Sequence, residues 1–105
     1  MTTVHLNTIH EREEELRIAQ KERNEFELLA KRDQMVAKWA AGIFGYHGED
    51  AKRYIRDVII ADLEEPGDED IIRKLITDFD DHGIAISRQE IEKQLLIAEQ
   101  ALRTR

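Results

Sequence analysis

Asp78, Asp80, His82 and Gly83 fall at positions one, three, five and six of a calcium-binding loop. Such a loop surrounds the ion with oxygen ligands and closes with a bidentate glutamate at position twelve. Gln89 stands at that position. Its amide has neither the charge nor the second carboxylate oxygen, and a helix start at Ser87 competes for the same backbone. The run reads as a solvated helix end, and no metal is expected. The four histidines, His5, His10, His47 and His82, have no pair at the three- or four-residue spacing that puts two ligands on one helix face. Gly42, Gly45 and Gly48 do not make a phosphate loop, because no lysine followed by Ser or Thr completes them. They read as a helix cap and a turn. Cysteine is absent, which excludes disulfides, thiolate metal sites and cysteine catalysis. The single serine, Ser87, is accounted for as a cap. Carboxylates are so numerous that no acid–base pair stands out, and general acid–base work needs a sheltered cleft that shifts pKa values. No enzyme is expected.

The elements that carry these residues are helices. Apolar residues recur at steps of three and four through Phe26, Leu29, Ala30, Val36, Ala37, Ala40, Ile43 and Phe44, with Trp39 beside them. This pattern predicts a core-facing stripe on a helix running from about Thr8 to Ala41. Between His10 and Glu25 only Leu16, Ile18 and Ala19 are apolar. That half of the helix has little to bury and reads as an arm. Glu13 with Arg17 and Glu27 with Lys31 support it as i,i+4 pairs, each worth about 0.2–0.5 kcal/mol. Its heptad pattern (Leu16, Ala19, Arg23, Phe26, Ala30) is too broken for a strong coiled coil.

Gly45 is placed to end the first helix. A second helix follows from about Glu49 to Leu63, with Ala51, Tyr54, Ile55, Val58, Ile59 and Asp62 on one side, and Pro66 stops it. Asp68 caps a third, whose core face is Ile71, Ile72, Leu75, Ile76 and Phe79 and whose end is Gly83. Ser87 and Glu90 form a capping box for a fourth, flanked by an Ile86–Ile91 staple; Ile91, Leu95, Ala98 and Leu102 carry its stripe. Four helices with short connections and no alternating strand pattern predict an all-α four-helix bundle with a long, partly protruding N-terminal helix. The division expected is an arm over residues 1–25 and a bundle domain over 26–105.

Mixed charges amount to 37% of the 105 residues and give a net charge of -7. Phosphate binding needs a basic surface, so nucleic acid is not the expected partner. No apolar run reaches membrane-span length, and residues 1–5 lack the basic and apolar parts of a secretory signal. A soluble cytoplasmic protein without direct membrane insertion is expected. An arm that inserts into a partner must present apolar area, which selects Ile9, Leu16, Ile18 and Ala19 as partner-facing, with Arg12 added because interfaces favour arginine.

Trp39-Ala40-Ala41-Gly42, the run Ala61-Asp62-Leu63-Glu64-Glu65-Pro66-Gly67-Asp68-Glu69-Asp70, Arg73-Lys74, Asp78 and the connector from Gly83 to Ser87 together carry a resemblance. With Phe26 and Arg32 in the first helix, the chain resembles the zeta subunit of alphaproteobacterial F-type ATP synthase over roughly residues 26–100. The resemblance implies a four-helix bundle whose N-terminal helix enters the catalytic head between the alpha and beta subunits, against the gamma shaft. It implies that the helix blocks rotation in the hydrolysis direction as a wedge, without chemistry. It also implies a position peripheral to the inner membrane when bound to the synthase, and weak adenine nucleotide binding in some members, to which no residues are assigned; a monomer is expected when the protein is free. The arm from His5 to Asn24 departs from the family's Ala/Phe-rich pattern, and His47 stands where Ser or Thr often caps the second helix. These departures imply weakened inhibition. The alternative from a different class is a stand-alone helical binding module, an adaptor or a nucleotide sensor, without ATPase inhibition.

Overall fold

Gly45 and Gly83 decide where the chain reverses. Both hold positive φ, +78° and +68°, which a glycine adopts without the steric penalty of a Cβ. In the computed structural model, which describes the backbone of residues 2–104 and the side chains of residues 14–104, each glycine closes a Schellman motif. Tyr46 N–H donates to Ala41 O at 2.9 Å and Gly45 N–H to Gly42 O at 3.2 Å. Ile84 N–H donates to Phe79 O and Gly83 N–H to Asp80 O, both at 2.9 Å. The orphan carbonyls of two helix ends are satisfied in this way. Four helices result: α1 (Thr2–Phe44), α2 (Gly48–Asp62), α3 (Glu69–Asp81) and α4 (Arg88–Arg103). No strand occurs among the described residues. The all-α reading holds, and α1 passes the expected Thr8–Ala41 at both ends, staying helical through Phe44 until Gly45 turns the chain.

Neighbouring helices pack in chain order, with α4 returning to α1. α1 contributes small core residues, Ala37, Ala40 and Ala41, beside Val36. The large ones come from the other helices: Tyr54 and Val58 from α2, Ile71, Ile72, Leu75 and Phe79 from α3, Ile91 and Leu95 from α4. The alanines leave room for Phe79 to reach across the bundle to the rings of Trp39 and Phe44, at centroid distances of 5.5 and 4.8 Å. Tyr54 is anchored as well as buried. Its hydroxyl donates to Asp78 Oδ2 at 2.7 Å, and Lys74 pairs with the same carboxylate at 3.1 Å. Burial and the neighbouring carboxylate push the Tyr54 phenol well above its ordinary range.

Three residues of the predicted core stripe of α1 are not in the core: Phe26, Leu29 and Ile43 are exposed. Ile76 of α3 is exposed too. The positions taken from them belong to charge, since Arg32 and Asp33 are buried on the inner face of α1. At the α4 start, Ser87 Oγ accepts from Glu90 N–H at 3.1 Å, as the capping box requires. Glu90 does not complete the box; its carboxylate accepts from Gln94 Nε2 at 3.2 Å. Ser87→Ala is expected to cost about 1 kcal/mol and to lower Tm by about 4–8 °C, read by thermal circular dichroism.

An exposed arm rooted in a buried charge cluster

Every residue from Glu14 through Glu27 is exposed. Leu16 is 69% accessible, Ile18 60% and Phe26 54%. Ala19 is exposed beside them. Ile9 and Arg12, the other two expected partner-facing residues, lie outside the described side chains.

The structure sorts the remaining three onto different sides. Two helical steps turn the chain by about 200°, so Leu16 and Ile18 point in nearly opposite directions, and Ala19 shares the side of Leu16. Ile18 instead joins Phe26 and Leu29, with Lys21, Glu22 and Glu25, around one shallow hollow. Phe26 and Leu29 were placed in the core by their spacing. They follow the same stripe as Val36 and Ala40, but α4 covers a different side of this part of α1, where Leu102 lies beside Asn24, Glu27, Leu28 and Lys31. At the end of α2, Asp62 lies level with Arg32. The end of α4 is marked by Arg103, whose guanidinium pairs with Glu25 at 3.2 Å. The stripe therefore passes the end of α2 and runs on along a side of α1 that α4 leaves open.

Where the stripe meets the bundle, one guanidinium faces three carboxylates. Arg32 Nε and Nη2 donate to Asp33 Oδ1 at 3.1 and 3.0 Å. Nη1 and Nη2 form a fork on Asp68, at 3.3 and 2.9 Å, and Nη2 lies 3.5 Å from Asp62 Oδ2. Only 4% of Arg32 and 2% of Asp33 is accessible. Burial works against the Arg32 charge, but the hydrogen bonds it donates to Asp68 and Asp33, with the charges of those carboxylates, outweigh it and hold the group above its usual range. For Asp33 the balance falls the other way. Burial, together with a hydrogen bond to Asp62 and that group's charge, pushes its carboxyl up to about 8 against the opposing pull of Arg32. Asp68 also has a different task from the one its position predicts. It sits at the N-cap of α3 but makes no side-chain cap bond; its carboxylate is taken by Arg32.

Two positions of the calcium-loop pattern are likewise engaged in packing. Asp78 serves Tyr54 and Lys74. His82 stacks on Phe44 at 3.9 Å, its Nδ1 contacts Asp78 O at 2.7 Å, and its Nε2 contacts Tyr46 Oη at 2.9 Å. Among the described residues no group of His, Asp and Glu is arranged to hold a metal ion, and no helix is long and apolar enough to cross a membrane.

The family model described as ATPase inhibitor subunit zeta matches residues 1–104. The chain belongs to the ATPase inhibitor subunit zeta family. No curated protein and no solved structure gave a match. The residues through which a zeta-family resemblance is legible turn out to be structural. Within the acidic run, Asp62 and Asp68 bind Arg32 and so fasten the α2–α3 turn to α1. Trp39 packs on Phe79. Membership in the zeta family is consistent with a protein that inhibits an ATPase without catalysing a reaction itself. Sequence reasoning missed Arg32 and Asp33 as a buried pair. The available signal was that they interrupt the apolar stripe between Leu29 and Val36, on the face that must be covered.

Proposed function

We propose that this chain regulates F-type ATP synthase by inserting its N-terminal arm into the catalytic head, against the alpha, beta and gamma subunits, where it obstructs rotation in the hydrolysis direction. The observation that carries this reading is the continuity of one helix. α1 is locked into the bundle core from Arg32 to Ala41 and leaves it as an exposed segment with apolar side chains on more than one side. A helix entering a groove between subunits is gripped from several directions, and this arm offers Ile18, Phe26 and Leu29 on one side with Leu16 and Ala19 on another. Such recognition uses apolar anchors on a helix lying in a groove. The role of the bundle is to supply a fixed base. A free helix with so few apolar contacts is marginal in water, and extending one from a folded core removes the cost of nucleation. By the same reading Ile9 and Arg12 extend the contact surface, the protein works in the cytoplasm, and it is peripheral to the inner membrane when bound.

ATP hydrolysis by the cognate synthase, assayed with and without the protein, tests this. The full chain is expected to slow hydrolysis and leave synthesis unaffected. A chain lacking residues 1–20 is expected to keep the helical circular dichroism and cooperative melting of the bundle while losing all inhibition. Equal hydrolysis rates with the full chain, the truncated chain and no addition would remove the wedge.

A further inference from the structure

We infer that Asp33 and Asp62 share one proton across the α1–α2 contact at the root of the arm, and that this buried carboxyl pair is a clasp whose stabilisation falls away as pH rises from the acidic range to mildly alkaline conditions. Three carboxylates, Asp33, Asp62 and Asp68, lie within 4 Å of the Arg32 guanidinium, at 3.0, 3.5 and 2.9 Å. Asp68 is half-exposed, but Asp33 and Asp62 are nearly closed to solvent, and one guanidinium shared with Asp68 cannot balance two buried negative charges as well. Asp62 Oδ1 is buried and has no hydrogen-bond partner, and the Asp33 and Asp62 carboxylates meet at the same Arg32 Nη2. A proton on Asp33 supplies a donor and removes one of the three charges, so a single atom resolves both the unpaired acceptor and the excess charge.

The surroundings do not provide another route. From α1 the pair faces Arg32, from α2 it is completed by Asp62, and the α2–α3 turn brings Asp68. Glu69 of α3 and Arg88, Glu92 and Glu99 of α4 border the hollow on the outer side of Arg32 and Asp68. Arg88 is committed there to Glu69 and Glu92. Asp70 of α3 is held by Arg73 at 3.4 Å. The direction of the Asp33 shift, upward through burial and the Asp62 hydrogen bond, agrees with the geometry.

The sign of the pH dependence follows. The folded chain retains a proton that the unfolded chain releases near 3.8. The stability it provides is complete below that value and is lost as pH rises to about 8. One proton of difference changes the folding equilibrium by up to about tenfold per pH unit. The clasp is a property of the bundle and does not depend on which partner the arm takes.

The full chain, labelled with ¹³C at aspartate carboxyls, is titrated by NMR, and its urea stability is measured from pH 5 to 9 beside Asp33→Asn and Asp62→Asn. In Asp33→Asn the amide N–H takes over donation to Asp62 without a titrating proton. The expected result is a carboxyl resonance, lost in Asp33→Asn or Asp62→Asn, with a midpoint near 8, and a fall in stability with rising pH that Asp33→Asn abolishes. All aspartate resonances titrating near 4, or the same pH slope in the unaltered chain and in Asp33→Asn, would overturn the inference. Should neither variant fold, the titration of the unaltered chain decides alone: a midpoint near 8 supports the shared proton and a set of midpoints near 4 ends it.

Discussion

Arg32→Ala is expected to destabilise the bundle by about 3–5 kcal/mol, the cost of leaving buried charges without their partner. Among the described residues the variant removes the only guanidinium that reaches Asp33, Asp62 and Asp68, and two of those three carboxylates are nearly closed to solvent, at 3% and 9% side-chain exposure for Asp33 and Asp62. A loss of this size is a large part of the 5–15 kcal/mol that holds a domain together, so Tm should fall by more than 10 °C at about 4–8 °C per kcal/mol. Two further measurements separate charge from packing. The loss should be smaller at pH 4 than at pH 8, because protonation of the orphaned carboxyls removes the repulsion. It should change little between low and high salt, because counterions screen buried pairs poorly. Urea unfolding at the two pH values reads all of this. A triple variant, Arg32→Met with Asp33→Asn and Asp62→Asn, should recover most of the stability, since the expense lies in breaking the cluster and not in lacking it.

That cluster also marks the limit of what the chain reveals before folding. The helices were legible because each signal is local. Gly45 and Gly83 allow φ values that other residues resist, Ser87 finds its acceptor bond three residues on, and the stripes Ile71-Leu75-Phe79 and Ile91-Leu95-Ala98 repeat at helical spacing. Periodicity shows which side of a helix is apolar, but not how far along that side a neighbour extends. Phe26 and Leu29 have the spacing of the core stripe, but α2 ends level with Arg32, and α4, which reaches Glu25, packs on another side of α1 beside Leu28. The reverse error occurred at Arg32 and Asp33. Charged residues are almost never fully buried unless paired, and the partners Asp62 and Asp68 lie 30 and 36 positions away, beyond any spacing rule. Asp68 was read from its place before a helix as a cap, and only the fold shows that Arg32 has the stronger claim on its carboxylate. The arm poses a different problem. Its lack of apolar residues can be seen in the sequence, but the surface it presents includes Phe26, a residue assigned to the bundle.

Phe79→Ala should remove about 3–5 kcal/mol, the range for truncating a buried aromatic ring, and its consequences should extend to the arm. Phe79 is 1% accessible and among the largest fully buried side chains. It meets Trp39 and Phe44, two residues of α1, the helix that continues into the arm. Truncation leaves a cavity at the centre of the bundle, where α1 contributes alanines too small to fill it. Trp39 fluorescence should change on substitution and report the lowered unfolding midpoint, which is directly comparable with that of Arg32→Ala. The functional outcome depends on the arm being an extension of a folded helix. Above the melting temperature of the variant, the C-terminal half of α1 no longer supplies a helical turn from which the arm can propagate, and the arm must nucleate alone at a cost that short helices do not recover in water. If the arm inhibits ATP hydrolysis as proposed, Phe79→Ala should inhibit nearly as well as the unaltered chain at a temperature where its bundle is folded, and much less between its own Tm and that of the unaltered chain. Hydrolysis assays at two temperatures on either side of the variant's Tm check this. Inhibition that is equally strong at both would mean that the synthase itself folds the arm, and that the bundle is not needed to prepare it.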